Sequence, residues 1–246
     1  MARGPGRQRG ELRRSPELIG HRGAPRERPE NTLASFLRAL DLGADAVELD
    51  VHATRDGVVV VHHDPVPRGE TSNASLRGRA IADLTLAELS TYRVSGEPIP
   101  TLATVLEAIG SRARVYVEVK GRGIEAQVID TIAQAADVAT VPLHSFDHRV
   151  LSRARAIDPN VQGGILLVSY LLQPDAALRT TGARDYWQEW SLIDADLVKS
   201  VHGARGRVIA WTVNDPDVAR RLADMGVDGI CTDVLPTVAP ALGRAA

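Results

Sequence analysis

From Glu17 onward, short runs of β-branched and aliphatic residues alternate with amphipathic stretches, and this alternation constrains the fold more than any other feature of the chain. The runs predict strands at Leu18–His21, Ala46–His52, Val58–His63, Arg114–Lys120, Thr140–Ser145, Gly163–Val168, Tyr186–Trp190, Arg207–Val213 and Gly229–Thr232. Helices are predicted at Thr32–Leu42, Thr101–Ile109, Ile124–Ala135, His148–Ala156, Ile193–His202 and Asp217–Met225. Near-continuous apolar strands separated by helices mean a parallel sheet covered on its outside. One connection departs from the pattern. Only Ala-Thr-Arg-Asp-Gly separates the second and third strands, whereas a parallel crossover needs about a dozen residues. Asp56-Gly57 is a hairpin-turn signal, so these two strands read as an antiparallel hairpin. The other eight then close as a (β/α)8 barrel, which typically takes about 250 residues; the chain has 246. With a two-residue turn, Arg55 faces Val58 and Asp50 lies opposite His63, their Cβ atoms about 5 Å apart.

Composition narrows the function classes. A net charge of −2 gives no reason to expect a nucleic-acid scaffold. A single cysteine, Cys231, excludes an intrachain disulfide framework and a multi-cysteine metal site. No apolar run approaches the roughly 20 residues that span a bilayer. Residues 1–15 are basic and glycine-rich without the apolar stretch of a secretory signal. They read as a disordered tail ahead of a single domain over residues 16–246, with the cytoplasm as the expected location. Of 29 basic residues only Lys120 and Lys199 are lysines. A lysine kept in so arginine-rich a chain suits a compact point-charge contact that a guanidinium cannot make.

Chemistry-bearing residues gather at predicted strand ends. On the strand Ala46–His52, Glu48, Asp50 and His52 share one face while Val47, Leu49 and Val51 share the other. Adjacent carboxylates in a dry interior repel, and a hard divalent cation relieves the conflict. His52 is expected at the surface, past the strand's end. Glu118 and Lys120 share a face at the C-terminal end of their strand, and such ends form the active-site mouth in barrels. His21 ends the first strand, and His62-His63-Asp64 ends the hairpin. Histidines beside a carboxylate cluster suit acid–base work near neutral pH, and Arg22 adds a fork-shaped cation suited to phosphate. His144, His148 and His202 are expected to be structural or surface groups.

Together these residues resemble the glycerophosphodiester phosphodiesterases. The resemblance runs through His21-Arg22-Gly23, Pro29-Glu30-Asn31-Thr32 with Phe36, Glu48-Leu49-Asp50-Val51, Thr54-Arg55-Asp56-Gly57 and His63-Asp64. It continues through Ile99-Pro100-Thr101-Leu102, Val117-Glu118-Val119-Lys120, Ser145-Phe146-Asp147, Trp211-Thr212-Val213-Asn214 and Asp228-Gly229-Ile230, and so covers about Leu18 to Pro236. It implies an α/β (β/α)8 TIM barrel with an extra β-hairpin after strand 2 and a short capping loop. It further implies metal-dependent hydrolysis of small glycerophosphodiesters to glycerol 3-phosphate and an alcohol. By motif position, His21 and His63 match the catalytic histidines, and Glu48, Asp50 and Glu118 match the carboxylates that hold one divalent cation, Mg²⁺ or Ca²⁺. Arg22 and Lys120 match the phosphate contacts, and Trp211 matches an aromatic at the mouth. The nucleophile in such a scheme is either the neighbouring glycerol hydroxyl, giving a cyclic phosphate, or water.

The chain departs from the family pattern in the polar segment from Pro65 through Ser72 and on to Arg79, where only Arg68 and Thr71 are suggestive. This capping segment is expected to choose the alcohol. The match is also thin between Val168 and Asp185. Two other readings remain. One is a phospholipase acting on lysophospholipids or sphingolipids, which needs an apolar rim. Leu166–Val168 and Tyr170-Leu171-Leu172 offer apolar surface, but read better as strand and helix core. The other is a non-catalytic phosphodiester-binding barrel, which the full set of histidines and acids disfavours.

Overall fold

The structure, a computed structural model, describes residues 15–244. In chain order its strands are β1 (Glu17–His21), β2 (Ala46–Ala53), β3 (Val59–Val61), β4 (Glu70–Thr71), β5 (Tyr92–Val94), β6 (Glu97–Pro98), β7 (Arg114–Val119), β8 (Leu143–Ser145), β9 (Gly163–Leu167), β10 (Asp185–Glu189), β11 (Arg207–Trp211) and β12 (Gly229–Thr232). The α-helices are α1 (Leu33–Asp41), α2 (Leu86–Leu89), α3 (Leu102–Ile109), α4 (Glu125–Ala135), α5 (Arg149–Ile157), α6 (Pro174–Thr181), α7 (Ala195–Gly203), α8 (Pro216–Met225) and α9 (Leu235–Val238). All strands of the nine-stranded sheet except β3 pair in parallel as β1, β2, β7 and onward to β12, which returns to β1 and closes the barrel. The expected basic tail lies outside the described residues, apart from Ser15, whose hydroxyl donates to the Leu242 carbonyl. No helix among the described residues is long and apolar enough to cross a membrane.

Alternation along β2 decides what faces where. Val47, Leu49 and Val51 point outward into the shell packed by the helices, each contributing about 1.5–3 kcal/mol by burial. Glu48 and Asp50 point into the barrel and are buried there. A smaller cluster fills the interior, built from Ile19, Ala46, Tyr116, Leu166, Trp187, Ile209 and Cys231. Below it a charged network closes the floor. Arg207 donates to Glu17 at 2.6 Å and to Asp185 at 3.3 Å, and Tyr116 donates to Glu17 at 2.7 Å. The network seals the barrel interior from this end, and chemistry in such barrels sits at the strands' C-terminal ends.

The hairpin exists, but its register differs by one residue from the expected pairing. Val51 faces Val61 and Ala53 faces Val59, so Asp50 lies opposite His62 rather than His63. The His62 N–H donates to the Asp50 carbonyl at 2.9 Å. The cause is the loop, which holds three residues, Arg55, Asp56 and Gly57. Gly57 takes a left-handed φ of +83° and its N–H donates to Thr54, the geometry of a three-residue hairpin rather than a two-residue one. Besides the short helix α9, two further features were not expected. Helix α6 occupies part of the stretch between Val168 and Asp185, announced only by Pro174 in its first turn. The cap is a folded unit rather than a short loop. Strands β4, β5 and β6 form a small antiparallel sheet, and Val60, Leu76, Ile81, Leu84, Leu89 and Tyr92 give it a core of its own.

Candidate active site

At the C-terminal end of the barrel lies a cavity of about 290 Å³, lined by His21, Arg22, Glu48, His63, Glu118, Lys120, His144, Phe146, Leu166, Trp187, Trp211, Thr212 and Cys231. Every candidate residue from the sequence except Asp50 lines it, and Asp50 lies against two that do, Arg22 and Lys120. Sheet register explains the convergence. His21 is level with Glu48, Asp50 with Glu118, and Glu118 with His144. Residues level on neighbouring parallel strands point the same way, about 4.8 Å apart. His63 arrives differently, just past the end of β3, where the chain turns toward the mouth.

His21 and His63 are each backed by a carboxylate on Nδ1. His21 Nδ1 is 2.7 Å from Asp233 Oδ1, and His63 Nδ1 is 2.8 Å from Asp64 Oδ1. A carboxylate on Nδ1 selects the tautomer with its proton there and leaves Nε2 of the neutral ring unprotonated. His21 Nε2 lies 4.0 Å from Glu48. Burial alone lowers the His21 pKa, but the Asp233 hydrogen bond and the Glu48 charge outweigh it and the pKa ends raised. Asp233 is itself held by Asn214, whose amide donates to Oδ2 at 2.8 Å.

The acids differ in their surroundings. Burial, with Asp50 and Glu48 beside it, pushes the Glu118 carboxyl up to about 8, and Lys120 at 3.3 Å offsets this only in part. Burial also raises Asp50, yet Arg22 at 3.2 Å, Lys120 at 3.6 Å and the Asn31 amide at 2.8 Å bring it below the usual carboxylate range. The backbone at Arg22 is left-handed, with φ +56°, a conformation that costs a non-glycine residue about 1–2 kcal/mol. It is held by the Arg22 N–H donating to Glu48 and by Ser35 and Asn31 donating to the Arg22 carbonyl. Gly23 follows with φ +90°, and a Cβ there would meet Ser35 at 2.5 Å. This bend delivers both His21 and Arg22 to the cavity.

Do these residues fit a divalent cation? Glu48, Glu118 and His144 each offer a ligand atom within 4.8 Å of the others. Asp50 Oδ1 is buried without a hydrogen-bond partner. Buried, mutually repelling oxygens with a carboxyl pushed to about 8 are donors that a hard cation stabilises, so Glu48 and Glu118 fit such an ion, while Asp50 lies outside this close group.

Several residues that shape the site were missed or misplaced by sequence reasoning. His144, expected to be structural, lines the cavity 3.6 Å from Glu48 and stacks on Trp187 with ring centroids 4.5 Å apart. Its level position beside Glu118 could have been noticed only with the β7–β8 register known. Asp233, the residue after the end of β12, carried no motif signal. His52, expected at the surface, is buried within β2, its Nε2 3.2 Å from the His63 carbonyl, because the strand runs one residue longer. Of the suggestive cap residues, Arg68 pairs with Asp64 and Thr71 bonds Thr91 inside the cap; neither lines the cavity. Trp211 does line it, packed edge-on against Phe146 at 5.5 Å.

A parallel barrel whose mouth combines carboxylate-backed histidines, buried acids and two fixed cations fits a class, that of enzymes acting on an anionic ester. Comparison with known proteins narrows the class. The model of the glycerophosphoryl diester phosphodiesterase family matches residues 21–237, and the chain belongs to that family of phosphoric diester hydrolases. It is similar to a glycerophosphodiester phosphodiesterase of Caldanaerobacter subterraneus subsp. tengcongensis, 34% identical over 232 residues, 88% of this chain and 93% of the relative. A solved phosphodiesterase of Oleispira antarctica in complex with the product sn-glycerol-3-phosphate is 28% identical with a TM-score of 0.82, covering 93% of this chain and 97% of that one. A glycerophosphodiester phosphodiesterase of Parabacteroides distasonis is 25% identical with a TM-score of 0.81, covering 93% and 97%.

Proposed function

We propose that the chain hydrolyses glycerophosphodiesters to glycerol 3-phosphate and an alcohol, with His21 and His63 as the acid–base pair. One observation carries this reading: two imidazoles, each with its own carboxylate, line one cavity with the buried acids and with Arg22 and Lys120. The Oleispira relative, solved with sn-glycerol-3-phosphate, supports the substrate class. Glu48, Asp50 and Glu118 would hold a divalent cation, Mg²⁺ or Ca²⁺. When bound, such a cation supplies positive charge to the phosphate oxygens and acidifies the attacking hydroxyl. One imidazole takes the proton of the attacking oxygen and the other protonates the leaving alcohol, each contributing about 10²–10⁴ in rate. The Arg22 fork and the Lys120 ammonium hold the phosphate's remaining oxygens and stabilise the charge that builds there. His144 steadies Glu48 rather than binding the cation, since hard cations prefer oxygen.

The test is activity on glycerophosphocholine after exhaustive chelation, followed by addition of each cation. Activity is expected to vanish and return with Mg²⁺ or Ca²⁺; Glu48→Gln and Glu118→Gln should weaken cation binding, and His144→Ala should leave it largely intact. Undiminished turnover after chelation refutes the cation's role.

A second reading has an observation of its own. Val168, Tyr170 and Leu172, which read as core from sequence, are exposed, with Leu172 at 93%. They follow β9 at the mouth's side of the barrel, and Phe146 is exposed beside the cavity. An apolar rim of this kind suits a lysophospholipid's acyl chain. A higher kcat/KM on a long-chain lysolipid than on glycerophosphocholine would favour it.

A further inference from the structure

A second depression of about 580 Å³ adjoins the catalytic cavity and shares Glu118, Lys120 and Phe146 with it. Its remaining walls come from the turn after β7 and the start of α5, and they carry three arginines, Arg122, Arg149 and Arg153. Two of these are engaged. Arg149 grips Asp147 with both fork nitrogens, at 2.7 and 3.0 Å, and Arg153 bonds Glu125 at 2.7 Å. Arg122 is exposed and makes no ion pair or hydrogen bond among the described residues.

The turn that carries Arg122 is fixed. The N–H groups of Lys120 and Gly121 both donate to the Val51 carbonyl, at 3.1 and 3.2 Å. A Cβ on Gly121 would meet the Ile124 side chain at 2.7 Å, and Gly123 has φ +70°. The left-handed turn demands glycine at Gly123, Gly121 packs closely on Ile124, and the free guanidinium stands on this hydrogen-bonded turn two residues from Lys120. The mouth has another depression, reached past Thr212, whose lining carries only one charged side chain, Asp215. An anionic group leaving the cavity thus meets, on one side, four basic side chains against the two carboxylates of Glu118 and Asp147, and on the other a carboxylate without a basic side chain beside it.

We propose that the arginine-lined depression is a subsite for a phosphate group carried by the alcohol half of the substrate, and that Arg122 selects for it. This rests on the hydrolase reading above and adds the chemistry of the alcohol. The guanidinium fork matches phosphate oxygens in pairs, and Arg122 spends no existing contact to make one. The cap was the expected selector; this subsite assigns selection to the turn after β7 instead.

The experiment compares two substrates that differ by one phosphate, glycerophosphoinositol and glycerophosphoinositol 4-phosphate, in the presence of the activating cation. Wild type is expected to favour the phosphorylated ester by about fivefold in kcat/KM, the scale of one well-placed but partly solvated charge contact. Arg122→Ala should erase the preference and Arg122→Glu should invert it, while turnover of glycerophosphoinositol stays unchanged. Calorimetric binding of inositol 4-phosphate reads the subsite without any turnover, and should weaken in both variants. Equal kcat/KM values in wild type, or a loss in Arg122→Ala shared by both substrates, would overturn the subsite. Absence of turnover with both esters and with glycerophosphocholine would instead overturn the hydrolase reading, and calorimetry would then decide the subsite by itself.

Discussion

His21 and His63 share one form of support, a carboxylate on Nδ1, but the two carboxylates come from very different places in the chain. Asp64 is the next residue after His63, whereas Asp233 lies 212 positions from His21. The first pair is visible in the sequence as His-Asp, and the second becomes visible only when β12 returns to β1. Replacing His21 or His63 with Ala is expected to lower kcat by about 10³-fold without moving the thermal unfolding midpoint. Near-normal turnover would take that residue out of the chemistry. Asp233→Asn tests the support alone. It keeps an acceptor for Nδ1–H but removes the charge that raises the His21 pKa against burial, so the His21 limb of the pH–rate profile should move to lower pH. A tenfold or greater fall in kcat is expected, with little change in KM. A lower activity with an unmoved profile would make Asp233 a packing residue.

At the level of elements, the β2–β3 hairpin and the cap behind it are coupled through His62. Its Nε2 accepts the Arg68 N–H at 3.0 Å, a bond possible only while that nitrogen is unprotonated. Burial pushes the His62 pKa from 6.5 down to about 4. The unfolded chain then binds a proton between those values that the folded chain does not, so stability falls as pH drops below about 6.5 and levels off below about 4. The loss from this residue is at most about 3 kcal/mol, and His52, lowered in the same direction by burial, adds to it. Urea unfolding from pH 7 to pH 4 should show the decline, and His62→Gln should flatten it; parallel curves would clear His62 of the effect. The cap's extent was hard to read because its strands are two or three residues long, too short for alternation to show. The hairpin was readable, but Asp56-Gly57 permits two loop lengths, and one residue of difference moved the pairing.

For the whole molecule, floor and mouth are opposite ends of one barrel and should be separable. Arg207→Ala leaves Glu17 and the buried Asp185 without their main cation, which should destabilise the fold by about 3 kcal/mol. The kcat per folded molecule should stay unchanged, as measured by urea unfolding and by assay at low temperature. A selective loss of kcat would mean that the floor sets the geometry of the mouth. Sequence by itself determined the elements and the faces: Glu48 and Asp50 on one, Val47 and Leu49 on the other, with helices beginning near Thr32 and Asp217. These follow from periods of two and 3.6 residues and from capping groups within a few positions, all of them local properties. The tertiary structure alone decided the neighbours: His144 beside Glu48, Asp233 behind His21, and the unpaired Arg122 beside the cavity. Those contacts depend on how strands far apart in sequence align when the ring closes, and alignment is set by packing around the whole barrel rather than by any one segment.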